Sequence, residues 1–286
     1  EHAVDPDLVR VEALDRALHL SAADREREIG LRLVSLLRAT GRYDEALSVL
    51  ARPALADDRV ELAETLRMRG DPDAALAALG ASGALGSEQA ATPRGRALRA
   101  RIELDRGEPR RAIEIAGAIE REIDAPVLVE VVGLAHLRLG ETARAEACFD
   151  RAARGATDDR EAARALCLLG SARHHRGESA AAAECYRQAC ERARHDPHGR
   201  AVYAANLAAA LTDAGDYEGA LFAYRESLAG LFRVGRAAEG AGVFFNYANL
   251  LLRLGDLAGA RRAVERAAAS GVGPELRGFC DLLQAD

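Results

Sequence analysis

Lysine is absent from this 286-residue chain, so all 39 of its basic residues are arginine. Tryptophan is absent too, methionine occurs once, at Met68, and aromatic residues make up 4% of the whole. Arginine, with its fork of donors, is therefore the only strong cation available to an anionic ligand. The bias toward Ala, Arg and Gly reads as that of a GC-rich genome rather than as escape from lysine-directed modification. A surplus of positive charge is also missing. The net charge is −6, which argues against nucleic acid as the main partner. No stretch approaches the roughly 20 apolar residues of a membrane span. The most apolar one, 125–139, is broken by Glu130, His136 and Arg138. The five cysteines, Cys148, Cys167, Cys185, Cys190 and Cys280, are odd in number and irregular in spacing. They do not read as a disulfide framework, so a reducing, cytoplasmic setting is expected. The first residue is Glu1 and no signal-like segment follows. The expectation is a piece of a longer protein.

What is present is a folding composition, 49% hydrophobic and 29% charged, long enough to bury a sizeable core. Alternating β-branched runs are nearly lacking. Apolar residues recur at three and four, as in Leu31, Val34, Leu37 and in Leu166, Leu169, which is the helical period. The eight prolines fall between segments or in first turns.

A short phrase recurs seven times: a glycine, often an acidic residue, and an alanine five positions after the glycine. The pairs are Gly41 and Ala46, Gly70 and Ala75, Gly107 and Ala112, Gly140 and Ala145, Gly177 and Ala182, Gly215 and Ala220, Gly255 and Ala260. Successive glycines are 29, 37, 33, 37, 38 and 40 residues apart. The glycine suits a left-handed turn that ends one helix. The acidic residue suits the exposed N–H groups that begin the next. The alanine allows two helices to cross closely. Seven positions before each glycine stand Val34, Ala63, Ala100, Gly133, Gly170, Ala208 and Ala248, small in six of seven cases. Nine positions after stand Leu50, Leu79, Ala116, Phe149, Tyr186, Tyr224 and Val264, suited to locking one hairpin to its neighbour.

The phrases 245–260 and 205–220 resemble the tetratricopeptide repeat family, and the likeness extends over about residues 22 to 270. It is strongest in the last four repeats. In the third, Arg99 stands where an apolar residue is usual and Ala116 where an aromatic is usual. Spacings of 37 to 40 residues exceed the 34-residue unit and imply helices about one turn longer, as in the longer-repeat bacterial branch. The resemblance implies an all-α, right-handed superhelical solenoid of about seven helix-turn-helix repeats, read as a single domain over 1–286. An amphipathic helix over 5–20 precedes the repeats, with Ser21 and Asp24 capping the first repeat helix. A capping helix over 273–284 follows. Residues 81–93 read as a loop.

No catalytic set stands out. Cys167 and His174 share a helix face but are separated by a rise of roughly 10 Å, too far for a nucleophile and its base. Cys185, Cys190, His195 and His198 lack the paired spacing of zinc ligands, and no metal or other cofactor is expected. The densest basic run, Arg94, Arg96, Arg99 and Arg101, reads as a solvated helix face or as a dock for an acidic partner. No aromatic residues interleave with it, so base stacking is unsupported.

By resemblance, the first helix of each repeat lines an inner groove. Its groove-facing positions lie nine, six, three and two residues before the turn glycine. These are Asn246, Asn249, Leu252 and Arg253 in the seventh repeat, and Asn206 with Thr212 and Asp213 in the sixth. In the fifth they are Ser171, His174 and His175, with Arg164 further up. Asn can donate to and accept from an extended peptide backbone. Arg253 can take a carboxylate or phosphate. The plainer reading of the asparagines is polar residues on an exposed helix. The missing lysines speak against the carboxylate-clamp subtype. The expected function is a non-enzymatic scaffold or regulatory domain that holds a protein or peptide, or a neighbouring domain of the same polypeptide. A rival reading is an array sensing a small ligand or signalling peptide through Arg164, His174 and Arg253. Self-association through an end repeat is left open.

Overall fold

The computed structural model describes residues 6–20, 23–80, 92–117, 126–236 and 239–269. Of these, 85% are helical, in 15 helices, and none is in a strand. Among them, no helix is long and apolar enough to cross a membrane. The chain divides into two compact units, Glu1–Leu139 and Gly140–Asp286. The first holds α1 (Pro6–Leu20), α2 (Ala23–Ala39), α3 (Tyr43–Leu50), α4 (Arg59–Arg69), α5 (Pro72–Ala78), α6 (Pro93–Asp105), α7 (Pro109–Gly117) and α8 (Pro126–Arg138). The second holds α9 (Thr142–Gly155), α10 (Asp159–His175), α11 (Ser179–Arg192), α12 (Pro197–Ala214), α13 (Tyr217–Arg233), α14 (Gly240–Arg253) and α15 (Leu257–Ala269). The expected N-terminal helix is α1. The Ser21 and Asp24 cap rests on Ser21, which lies outside the described residues. So do nearly all of the 81–93 loop, the 273–284 helix and Cys280.

The repeated phrase acts at each turn as its chemistry requires. All seven turn glycines have positive φ, between 74° and 92°, where a side chain would be strained. The acidic residue after the glycine divides by length. Asp71, Asp216 and Asp256 each accept a hydrogen bond from the backbone N–H three residues on. Glu141 and Glu178 begin their helices without such a bond, because the longer side chain overshoots; Glu141 instead pairs with Arg144.

The crossing positions are equally regular. All seven alanines five residues after the turn are fully buried. The seven residues placed seven before it are buried as well, and so are all seven placed nine after it, from Leu50 to Val264. Where glycine replaces alanine at position 170 the approach is close: a Cβ there would stand 2.9 Å from the Tyr186 ring. The last three glycine spacings, of 37, 38 and 40 residues, contain the long helices α10 with 17 residues, α12 with 18 and α13 with 17.

Each unit has its own core. In the first, α1, α2 and α3 close around Val11, Leu18, Leu33, Leu37 and Leu50, and a second cluster joins Ala63, Ala75, Leu79, Leu98 and Ile102. In the second, Tyr186, Ala208, Leu211, Tyr224 and Leu250 tie α11 to α14, and Phe244, Leu251, Ala260 and Val264 tie α14 to α15.

Candidate functional site

Packing decides which strip of each first helix stays open. On α14, Phe244, Ala248 and Leu251 go into one core cluster and Leu250 into another. What remains is Gly242, Asn246, Asn249 and Arg253, at steps of four, three and four, the period of one helix face. Asn246 and Arg253 are exposed and Asn249 is half-buried. A Cβ on Gly242 would meet nothing within 4 Å, so the strip opens onto free space. None of these three side chains makes a hydrogen bond or ion pair with the described residues. The matching strips are Val202, Asn206, Ala209 and Asp213 on α12, and Arg164, Leu168, Ser171 and His175 on α10.

The candidates on α10 and α12 are committed to the fold. Asn206 Nδ2 donates to Cys167 Sγ at 3.4 Å, joining α12 to α10. His174 Nε2 stands 2.8 Å from Asp213 Oδ2 across the same pair of helices. Ser171 bonds to the Tyr186 hydroxyl. Arg164 is half-buried and already engaged. Burial pushes the Cys167 thiol up to about 11, with the Asn206 bond opposing the rise. Burial likewise pushes the Tyr186 hydroxyl up to about 12, opposed by the bond to Ser171. The chemistry of a thiolate or phenolate is therefore suppressed here. Next to this region, Arg173 Nε donates to Glu146 Oε1 at 2.9 Å and its Nη1 to Cys185 Sγ at 3.2 Å, while Arg176 also grips Glu146. The Arg173 bond is the main reason the Glu146 carboxyl sits below its usual range. His198 pairs with Glu239 at 2.7 Å. Among the described residues no three His, Cys, Asp or Glu side chains are grouped as a metal ion would need.

In the first unit, charges of both signs at or near the corresponding positions pair across successive first helices. Arg27 of α2 reaches Asp58 at the start of α4 at 2.5 Å. Arg38 of α2 meets Glu61 of α4 at 2.8 Å, with both side chains largely covered. Glu61 also holds Arg94 of α6 at 2.5 Å. Arg67 of α4 meets Asp105 of α6 at 2.8 Å, and Arg101 of α6 meets the buried Glu130 of α8 at 2.7 Å. Sequence reading missed this ladder. The signal was there: opposite charges at groove offsets of neighbouring repeats, such as Arg38 three residues before its turn and Glu61 nine before the next. The basic run of α6 is thus neither wholly solvated nor wholly free, since Arg94 and Arg101 are spent on the ladder.

A tetratricopeptide repeat profile matches residues 163–196, and a second one matches residues 59–81 and 241–266. Among solved structures, a chain of the APC/C hetero-tetramer Cut9–Hcn1 is similar over 97% of this chain and 55% of its own, at TM-score 0.64 and 14% identity. This chain therefore spans about half the length of that one. A tetratricopeptide repeat protein from Parabacteroides merdae is similar over 96% of this chain and 98% of its own, at TM-score 0.54 and 15% identity. The C-terminal part of a TPR repeat-containing protein from Cytophaga hutchinsonii is similar over 86% and 98%, at TM-score 0.51 and 15% identity. At these identities the likeness is one of fold. No curated protein matches the chain in sequence.

Proposed function

From a chain that is a tetratricopeptide repeat protein, we propose a scaffold that holds an extended peptide or a partner's exposed segment on the α14 strip of the second unit. Such repeats are generally protein–protein interaction scaffolds, typically without catalysis, and they bind protein or peptide partners. The finer reading rests on one observation. Asn246, Asn249 and Arg253 lie on one open face and make no hydrogen bond or ion pair with the described residues. Two amides can meet both the N–H and C=O groups of an extended chain, and a guanidinium beside them can take a carboxylate. The inner positions of the first unit offer this less, because most of their charges already satisfy one another. Of the seven residues the sequence suggested, Asn206, Ser171, His174 and Arg164 serve in this proposal as supports for neighbouring helices rather than as contacts.

The test is capture from cell extract with the whole chain as bait, read by mass spectrometry. The comparison baits are Asn246→Ala/Asn249→Ala/Arg253→Ala and Asn206→Ala, each checked for unchanged helical circular dichroism. The expected result is a partner retained by the wild type and by Asn206→Ala and lost by the triple variant. Equal retention by the triple variant removes α14 from the interface.

A further inference from the structure

On α6 the four arginines of the basic run part company. Arg94 and Arg101 pair with carboxylates of the neighbouring first helices. Arg96 and Arg99 face another way, and they make no hydrogen bond or ion pair with the described residues. Both side chains are half-buried. Their Nε atoms are the only arginine nitrogens among the described residues that are buried and unbonded.

Their surroundings can be placed through Glu103, which follows them on the same strip at steps of three and four. The fully buried Glu103 is shared by Arg106 at 3.0 Å and by Arg111 of α7 at 3.3 Å. Arg106 in turn reaches Asp73 of α5 at 3.0 Å. The strip therefore runs along the side of α6 that lies between α5 and α7. Its one buried carboxylate is thus already ion-paired to two other arginines, although its Oε1 makes no hydrogen bond. Glu108, just before α7, and Glu114 of α7 are exposed and make no ion pair with the described residues. At the register of Arg99 the other repeats carry Leu33, Leu62, Val132, Leu169, Leu207 and Tyr247. At this one junction, the Arg99 guanidinium replaces what is elsewhere an apolar floor.

Two like charges three residues apart on a helix repel, and half-burial removes part of the water that would screen them. Bound anionic oxygen relieves both costs. Each guanidinium offers donors in a fork matched to a carboxylate or phosphate, and the buried Nε–H groups are the donors left over. We propose that Arg96 and Arg99 form an oxyanion-binding site on the α5–α6–α7 side of the first unit, for the phosphate or carboxylate group of a ligand. The site is separate from the α14 strip and does not depend on it.

The experiment is a titration of the isotope-labelled whole chain, observed through the arginine Nε–Hε cross-peaks and assigned with Arg96→Gln and Arg99→Gln. The probes are orthophosphate, phosphoserine and acetate. The expected result is a saturable shift of the Arg96 and Arg99 cross-peaks with at least one probe. In the double Gln variant that binding weakens at least about tenfold, as loss of charge-assisted hydrogen bonds implies. Tightest binding of phosphoserine assigns a phosphate monoester, of orthophosphate a free phosphate, and of acetate a carboxylate, each within the proposal. Arg99→Leu restores the residue found in four other repeats, so it keeps the fold and must also weaken binding. No saturable shift with any probe, or a shift undiminished in the Gln and Leu variants, overturns the site.

Discussion

A methyl group at residue 170 would press on the Tyr186 ring, which is itself buried and hydrogen-bonded to Ser171. Helix propensity alone favours alanine over glycine by about 1 kcal/mol, whereas overpacking a tight core contact costs about 1–3 kcal/mol. Gly170→Ala is therefore expected to lower the thermal midpoint; a raised midpoint would show that the ring gives way. The thiols offer a second reading at this scale. Burial lifts both Cys167 and Cys190 to about 11, against about 8.5 for a free thiol. The folded chain thus holds these protons more tightly than the unfolded one. Their contribution to stability is complete below about pH 8.5 and is lost as pH rises toward 11. Iodoacetamide at pH 8 should alkylate both far more slowly in the native chain than in urea. Equal rates would place the thiols in water.

At the scale of the helix, the difference between Asp and Glu after the turn glycine matters more than their shared charge. Asp216 caps α13 through the Gly219 N–H at 3.0 Å, so Asp216→Ala should cost about 1 kcal/mol. Glu141 makes no cap bond, and Glu141→Ala should change stability by less than about 0.5 kcal/mol. Denaturant midpoints of the two variants decide this, and equal losses would mean that the helix dipole dominates. The elements themselves were legible because glycine, alanine and the large residue each do one local job at a fixed offset. The site was less legible. Offsets put Asn246, Asn249 and Arg253 on one helix face, but an offset cannot tell an idle amide from one that, like Asn206, is bonded to a cysteine 39 residues away. Nor could the basic run be divided from sequence. Whether Arg99 or Arg101 finds a carboxylate depends on which neighbouring helix each side of α6 meets.

For the whole molecule, a repeat array draws its stability from neighbouring elements rather than from one central core. The second unit contains its own clusters, and the ion pair at Glu146 and the hydrogen bonds at His174 and His198 close within it. A segment covering 140–286 is therefore expected to be helical alone and to retain the partner captured by the whole chain, whereas 1–139 alone should not. Capture by 1–139 and not by 140–286 would transfer the function to the first unit. Unfolding of the whole chain in denaturant is expected to be broader than two-state, since nearest-neighbour stabilisation weakens cooperativity.

The arginine–carboxylate ladder of the first unit has a consequence in reagent chemistry. With no lysine in the chain, amine-directed labels find no side chain to attack, and covalent mapping falls to dicarbonyls, which condense with guanidinium. Arg38 is 12% exposed and clasped by Glu61, so it should react late. Arg253 is exposed and engages none of the described residues, so it should react early. The ladder thus acts as a chemical mask. The order in which arginines acquire a dicarbonyl adduct becomes a footprint that separates committed faces from open ones, and the footprint should change at Arg253 when a partner arrives.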